Sequence, residues 1–247
     1  MSVKRSRSAS RVLAVLEEIA YHQPIGVSEL ARLLEDDKSA VQRAIMTLAD
    51  DGWINPAPGS PRRWKLSAHM LTLANAGHSR DDLRIRAKGV METLRAESGE
   101  TVLLTVPDSH RFVVIEALES QQLLRTAPHI GMTVPVWGSA TGRAILPYMT
   151  AEGQADMLRG TPDQEMLEDF SQTLARGYSV SDGDIAAGSI NIAAPIVESD
   201  GWPVGAIVIS APRDRVTPTD HTRIGAMVVR AARSLSRGNP VISAPPN

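Results

Sequence analysis

The chain has 247 residues, 43% of them hydrophobic, which is enough to bury one large core or two ordinary ones and excludes disorder as the dominant state. With 26 Lys and Arg against 28 Asp and Glu its formal net charge is -2, so the average shows no bias towards nucleic acid or anionic membrane. Cysteine is absent and aromatics are 4%, which excludes a disulfide framework, a thiolate metal site, a cysteine nucleophile and a broad base-stacking surface.

The average hides a split. Residues 1–70 hold ten basic side chains against eight acidic ones, +2, which leaves -4 for the rest. Lys4, Arg5, Arg7 and Arg11 precede any acid, and Arg62, Arg63 and Lys65 follow a Pro/Gly turn. Clustered cations suit phosphate, although such clusters are also common on solvated tails and turns. The apolar run after the basic start is interrupted by Glu17 and Glu18 and no small-residue cleavage site follows, so no signal peptide is expected. No stretch reaches the ~18 apolar residues of a membrane span. The expectation is a soluble cytoplasmic protein without membrane contact.

Val12, Leu16, Ile19 and Ala20 predict a first helix over about Ser8–Tyr21, capped by Ser8 or Ser10 and ended by Pro24 and Gly26. Val27, Leu30, Ala31, Leu33 and Leu34 predict a short second helix that stops at Glu35, Asp36 and Asp37. A third carries Val41, Ala44, Ile45 and Leu48 on one face, with Asp36 or Asp37 as its cap. Its other side presents Ser39, Gln42, Arg43 and Met46. Arg and Gln there can grip guanine and adenine edges in a major groove.

Gly52 closes that helix, Trp53 and Ile54 begin a strand, and Pro56, Pro58, Gly59 and Pro61 turn the chain back into Arg62–Leu66. Three helices followed by a hairpin with a basic return strand describe a winged helix-turn-helix, its wing placed for phosphate or minor groove. A packing module that binds another protein is the bland alternative. The coincidence of basic tail, polar helix face and basic wing favours double-stranded DNA.

After a break at Asn75, Gly77, His78 and Ser79, the spacing of Leu83, Ala87, Val90, Met91 and Leu94 predicts a connecting helix ending near Gly99. Beyond it the period becomes two. Strands are predicted at Thr101–Val106, Phe112–Leu118, Leu123–Ala127, Thr133–Val136, Ser189–Val197 and Pro203–Ala211. Helices are predicted from Trp137–Thr141 through Tyr148, then at Ala151–Leu158, Gln164–Ala175 and Val216–Ser236, the last capped by Thr217 with Pro218 in its first turn. The fold class is α+β around an antiparallel sheet.

Nothing in this part has the pattern of an enzyme. The six His are scattered without ligand spacing, and Ser139 and Ser210 lie outside a G-x-S-x-G elbow. The small residues Gly138–Gly142 open a helix, where free N–H groups can hold a carboxylate, or where close packing against a sheet is needed. Both readings stay open.

These residues resemble the IclR family of bacterial transcription regulators over nearly the whole chain. The likeness rests on Ser8-Ala9-Ser10-Arg11-Val12-Leu13, Val27-Ser28-Glu29-Leu30-Ala31 and Lys38-Ser39-Ala40-Val41-Gln42-Arg43. It continues in Pro135-Val136-Trp137-Gly138-Ser139-Ala140-Thr141-Gly142-Arg143-Ala144, Arg176-Gly177-Tyr178 and Ile192-Ala193-Ala194-Pro195-Ile196, and then in Asp200-Gly201, Val204-Gly205-Ala206-Ile207 and Ser210-Ala211-Pro212.

The resemblance implies a winged helix-turn-helix over 1–76, a linker helix over 77–98 and a GAF-like effector-binding and oligomerisation domain over 99–247. It also implies a homodimer or homotetramer that binds an operator and a small, often carboxylated or aromatic metabolite, with no cofactor and no metal. The DNA-binding candidates are Lys38, Ser39, Gln42, Arg43, Arg62 and Arg63. The effector candidates carried over from the family are Trp137, Ala140, Thr141, Ser181, Asn191 and Ser210. The family commonly has His where Trp137 stands, and acidic or cysteine residues where Ser181 and Asn191 stand. The alternative is an enzyme acting on a small metabolite through its C-terminal domain, with Ser139 or Ser210 as nucleophile and the N-terminal unit a dimerisation module.

Overall fold

The computed structural model describes residues 6–76, 83–184 and 187–237. The chain divides into two compact units, Met1–Ser79 and Arg80–Asn247. Lys4 and Arg5 of the basic tail, and Gly77, His78 and Ser79 of the expected break, lie outside the described residues.

The first unit runs α1 (Arg7–His22), β1 (Ile25–Gly26), α2 (Val27–Leu33), α3 (Lys38–Asp50), β2 (Ile54–Ala57), β3 (Ser60–Leu66) and α4 (His69–Ala76). The apolar stripes read from the sequence meet in one core, where Val15, Ile19, Leu30, Val41, Ile45 and Ile54 are buried together. Each such aliphatic side chain contributes about 1.5–3 kcal/mol relative to exposure.

The caps differ slightly from expectation. Ser6, two residues before Ser8 and four before Ser10, accepts the Ala9 N–H and starts α1. Asp37 caps α3 by accepting the Ala40 N–H at 3.0 Å. At its other end Trp53 N–H reaches Leu48 O and Gly52 N–H reaches Ala49 O, a paired closure that needs the left-handed Gly52, φ 77°.

The hairpin turn is only Pro58–Gly59, with Pro56 and Pro61 inside the strands. The sheet order β1-β3-β2 makes β2 an edge, where Pro56 forfeits no ladder bond the sheet needs. Helix α4 was not expected, and the edge-on contact of His69 with Trp53, 5.0 Å between ring centroids, packs its start onto the first unit.

The second unit runs α5 (Leu83–Ser98), β4 (Thr101–Asp108), β5 (Arg111–Leu118), β6 (Thr133–Val134), α6 (Ala140–Ile145), α7 (Ala151–Leu158), α8 (Gln164–Arg176), β7 (Ser179–Asp182), β8 (Ser189–Val197), β9 (Pro203–Pro212) and α9 (His221–Leu235). The strands form one antiparallel sheet in the order β6-β5-β4-β9-β8-β7. The helix expected as a connector is half of a helical layer: its Ala87, Met91 and Leu94 are buried with α9 against the sheet.

Three expectations are corrected. Leu123–Ala127 is irregular, not a strand; Leu123 is fully exposed and Thr126 turns its polar atoms onto the neighbouring strands. Strand β7 was missed because it is four residues long and half serine. The final helix is preceded by a separate 3-10 turn, Pro218–Asp220, which Thr217 caps as anticipated.

The two-residue period sorts the sheet faces. Val102, Leu104, Ile190, Ile192, Ile207 and Ile209 point to the α5/α9 layer. Leu103, Ala193 and Val208 point the other way, towards α6. On that second face the register aligns Thr101, Ser210, Asn191 and Ser181 in one polar row across β4, β9, β8 and β7. The next row, Leu103, Val208, Ala193 and Ser179, is mostly apolar.

Candidate functional site

The exposed face of α3 carries Ser39, Gln42, Arg43, Met46 and Thr47, opposite the buried Val41, Ala44, Ile45 and Leu48, as the helical period requires. A hydrogen-bond chain orients its first turn. The Arg43 guanidinium donates to Ser39 Oγ at 3.3 Å, and Ser39 Oγ donates in turn to the Asp37 carboxylate. That hydroxyl, followed by the Ala40 N–H, holds the Asp37 carboxyl below its ordinary range. Lys38, Gln42 and Arg62 are exposed and have no side-chain partner among the described residues, so they are available to a ligand.

Arg63 departs from expectation. Its guanidinium donates to both Glu29 oxygens, at 2.9 and 3.3 Å, and to Pro24 O at 2.9 Å, clamping the wing to the start of α2. Of the wing pair, Arg62 is the uncommitted cation. Arg11 is likewise engaged, pairing with Asp36 through two hydrogen bonds that join α1 to the turn before α3. Sequence reasoning missed both pairings because the partners lie 34 and 25 residues away.

The Glu29 carboxylate also accepts the Gly26 N–H, and that bond followed by Arg63 holds its pKa below the ordinary 4.5. Asp36 is lowered by Arg11 first. Their folded pKa values lie below the unfolded ones, so the stabilisation is complete above the unfolded values and is lost as pH falls through the folded ones. Thermal melts of the protein should therefore show the first unit weakening as the pH falls below about 5. Glu29→Gln should flatten part of that dependence and speed amide exchange in β3; an unchanged acid profile would show that the clamp carries no stability.

The second unit holds a cavity of about 450 Å³ on the polar-row face. Leu103, Val114, Met132, Val134 and Val208 supply apolar walls, and the candidates Ala140, Thr141, Asn191 and Ser210 line it. Thr105, which the sequence reading missed, is there too. It follows Leu103 by two residues on the same face, so the strand period carries the signal. Its hydroxyl meets that of Thr141 at 3.2 Å and donates to Ala206 O. The side chains of Asn191 and Ser210 have no partner among the described residues.

Two expected lining residues are elsewhere. Trp137 packs edge-on against Phe170, 6.0 Å between centroids, with the Arg143 guanidinium 4.9 Å from its ring. Ser181 is in the polar row, but at the edge strand, where its hydroxyl donates to Gly138 O at 2.7 Å and the 137–139 segment covers it. The charge beside it is a partly exposed network, Arg143 bridging Asp169 at 3.1 Å and Asp184 at 3.2 Å.

The opening of α6 serves close packing. Helix α6 has only six residues, and Ser139 caps it by accepting the Gly142 N–H at 3.0 Å while donating to Pro135 O at 2.6 Å. Among the described residues neither Ser139 nor Ser210 hydrogen-bonds a His or a carboxylate, no group of three or more His, Asp or Glu is arranged to hold a metal ion, and no helix is long and apolar enough to cross a membrane.

A family model described as bacterial transcriptional regulator IclR C-terminal matches residues 76–237, and one described as MarR family matches residues 11–56. The chain is 29% identical over 244 residues to the transcriptional repressor IclR of Escherichia coli (strain K12), covering 93% of this chain and 89% of that protein. It is 30% identical over 185 residues to the transcriptional repressor AllR of Klebsiella pneumoniae, covering 70% of this chain and 68% of that one.

Two solved structures share the fold. An IclR transcriptional regulator from Alicyclobacillus acidocaldarius superposes with a TM-score of 0.78 at 22% identity, over 94% of this chain and 98% of that one. An IclR homologue from Microbacterium hydrocarbonoxydans, complexed with 4-hydroxybenzoate, gives a TM-score of 0.78 at 20% identity, over 93% and 97%.

Proposed function

The chain belongs to the IclR family of bacterial transcriptional regulators, and on that premise we propose that α3 and the wing read a palindromic operator while the cavity binds a small effector that biases the reading. The observation that carries the proposal is the exposed face of α3, where Gln42 and the oriented Arg43 stand beside the unpaired Lys38. Arg43 and Gln42 read base edges, Ser39 orients Arg43, and Lys38 and Arg62 contact phosphate. Arg63 acts indirectly, by fixing the wing.

A symmetric operator requires two reading heads, so the acting species is a homodimer or a homotetramer. It works in the cytoplasm, where the DNA is. In the second unit Ala140, Thr141, Asn191 and Ser210 contact the effector, with Thr105 added to the set. The structural neighbour with bound 4-hydroxybenzoate supports a small-molecule site on this fold. The lack of a His or carboxylate beside Ser139 or Ser210, among the described residues, weighs against the enzyme alternative.

Titrations of a preferred duplex and a scrambled one at two salt concentrations test the proposal. Arg62→Ala should weaken both duplexes by a similar factor and reduce the slope of log K against log salt by about 1 for each reading head, about 2 for the pair. A slope unchanged by the substitution would remove Arg62 from the phosphate contacts.

A further inference from the structure

We infer that Met46 reads the 5-methyl group of a thymine close to the guanine that Arg43 grips; this rests on the reading of α3 as the helix that meets base edges. Among the described residues Met46 is the one large hydrophobic side chain exposed on α3, at 44%. The other apolar residues of the helix are used inside the first unit: Ala40, Val41, Ala44, Ile45 and Leu48 are buried, and Ala49 packs against the same core. Exposure alone carries little, because single apolar side chains are common on protein surfaces. The place of this one on the helix carries the inference.

Met46 follows Gln42 by four residues and Arg43 by three. At about 100° per residue it therefore falls between them in projection, one turn further along the helix. Gln42 and Arg43 bring hydrogen-bonding groups to base edges. The neighbouring hydroxyls are engaged: Ser39 Oγ accepts from Arg43 at 3.3 Å, and Thr47 Oγ donates to Arg43 O at 3.1 Å. The thioether adds an apolar surface to this polar face, and the apolar group that a base edge presents in the major groove is the thymine methyl. Contact removes both from water, and the unbranched Met side chain adjusts its reach to the methyl. Arg43 and Met46 stand about 4.5 Å apart along the helix axis. With base pairs about 3.4 Å apart, a helix lying along the groove places the thymine about one to two base pairs from the guanine.

Deoxyuridine keeps the hydrogen-bonding edge of thymidine and lacks the methyl, so it isolates the contact. The test uses the full-length chain and an inverted repeat selected from random DNA, with each thymine replaced in turn, symmetrically in both half-sites. The guanine is located as the base whose replacement weakens binding by the unmodified protein but not by Arg43→Ala. At one thymine beside it, deoxyuridine should weaken binding by about fourfold per half-site, the worth of one methyl group taken out of water. Met46→Ala should bind the thymine and deoxyuridine duplexes equally, and Met46→Leu should keep the difference. Alanine at an exposed helical position preserves the helix, which an unchanged melting temperature checks.

Half-sites with no thymine beside that guanine, no effect of deoxyuridine there, or an equal loss in Met46→Ala overturns the inference and leaves the reading by Arg43 standing. A loss that persists in Met46→Ala but disappears in Thr47→Ala assigns the methyl to Thr47 and overturns it as well. Enrichment of no sequence, or enrichment that Arg43→Ala leaves unchanged, overturns the reading of α3 together with this inference.

Discussion

Replacing Gly142 by alanine should destabilise the second unit by about 3 kcal/mol or more. A Cβ at that position would stand 1.7 Å from Val136 O and 2.8 Å from Val136 C, both backbone atoms, and 3.2 Å from Ser139 Oγ. The 135–139 segment cannot move aside cheaply, because Ser139 ties Pro135 O to the Gly142 N–H and so locks the segment onto the start of α6. Ala140 and Thr141, which line the cavity, would be displaced with it. Denaturant unfolding of the variant measures the loss. Gly89→Ala is the matched control: it lies on the exposed side of α5 with nothing within 4 Å of an added Cβ, and should stabilise the protein by about 0.5–1 kcal/mol. Equal small effects at both positions would show that the 135–139 segment is not packed on α6 as described.

Arg43→Ala should cost about 1–3 kcal/mol, roughly tenfold to a hundredfold, on the preferred duplex and little on a scrambled one. The guanidinium is held through Ser39 to Asp37, so some of its orientation is already fixed before DNA arrives. Ser39→Ala should produce a smaller loss of the same kind. Arg63→Ala is expected to differ in character, since it breaks the clamp to Glu29 and Pro24 O and should act through the stability of the wing. Equal losses on both duplexes for Arg43→Ala would refute its base-reading role.

The elements most legible in the sequence were those whose pattern is local. The boundaries of β8 and α7 coincide with expectation, and β9 differs by one residue, because a long apolar run or a helical stripe ends at a turn or a cap. The Leu123–Ala127 segment failed because its apolar residues are exposed and its order comes from the Thr101 hydroxyl, which donates to Thr126 O, and from Ser210 O, which accepts the Thr126 hydroxyl, across 25 and 84 residues. The same distinction applies to the sites. Ser39, Gln42 and Arg43 follow from the period of one helix. The engagement of Arg63 by Glu29 and the contact of Trp137 with Phe170 depend on chain segments 34 and 33 residues away, and no local pattern encodes them. Thr105 was recoverable from strand alternation once Leu103 was assigned to the cavity face.

The split of charge gains a physical meaning from these pairings. In the first unit Arg11 and Arg63 are paired internally, whereas the proposed DNA contacts Lys38, Arg43 and Arg62 have no carboxylate partner among the described residues. Coupling between the two units, if the effector favours one DNA-binding geometry, falls in the usual range of about 1–3 kcal/mol and must be reciprocal.

Selection of bound sequences from a pool of random duplex DNA by the full-length chain tests the central claim most directly. The expected result is enrichment of an inverted repeat whose half-sites are separated by a fixed spacing, with the enrichment lost in Arg43→Ala. Retention of DNA without enrichment of any sequence, or enrichment that Arg43→Ala leaves unchanged, would contradict the account.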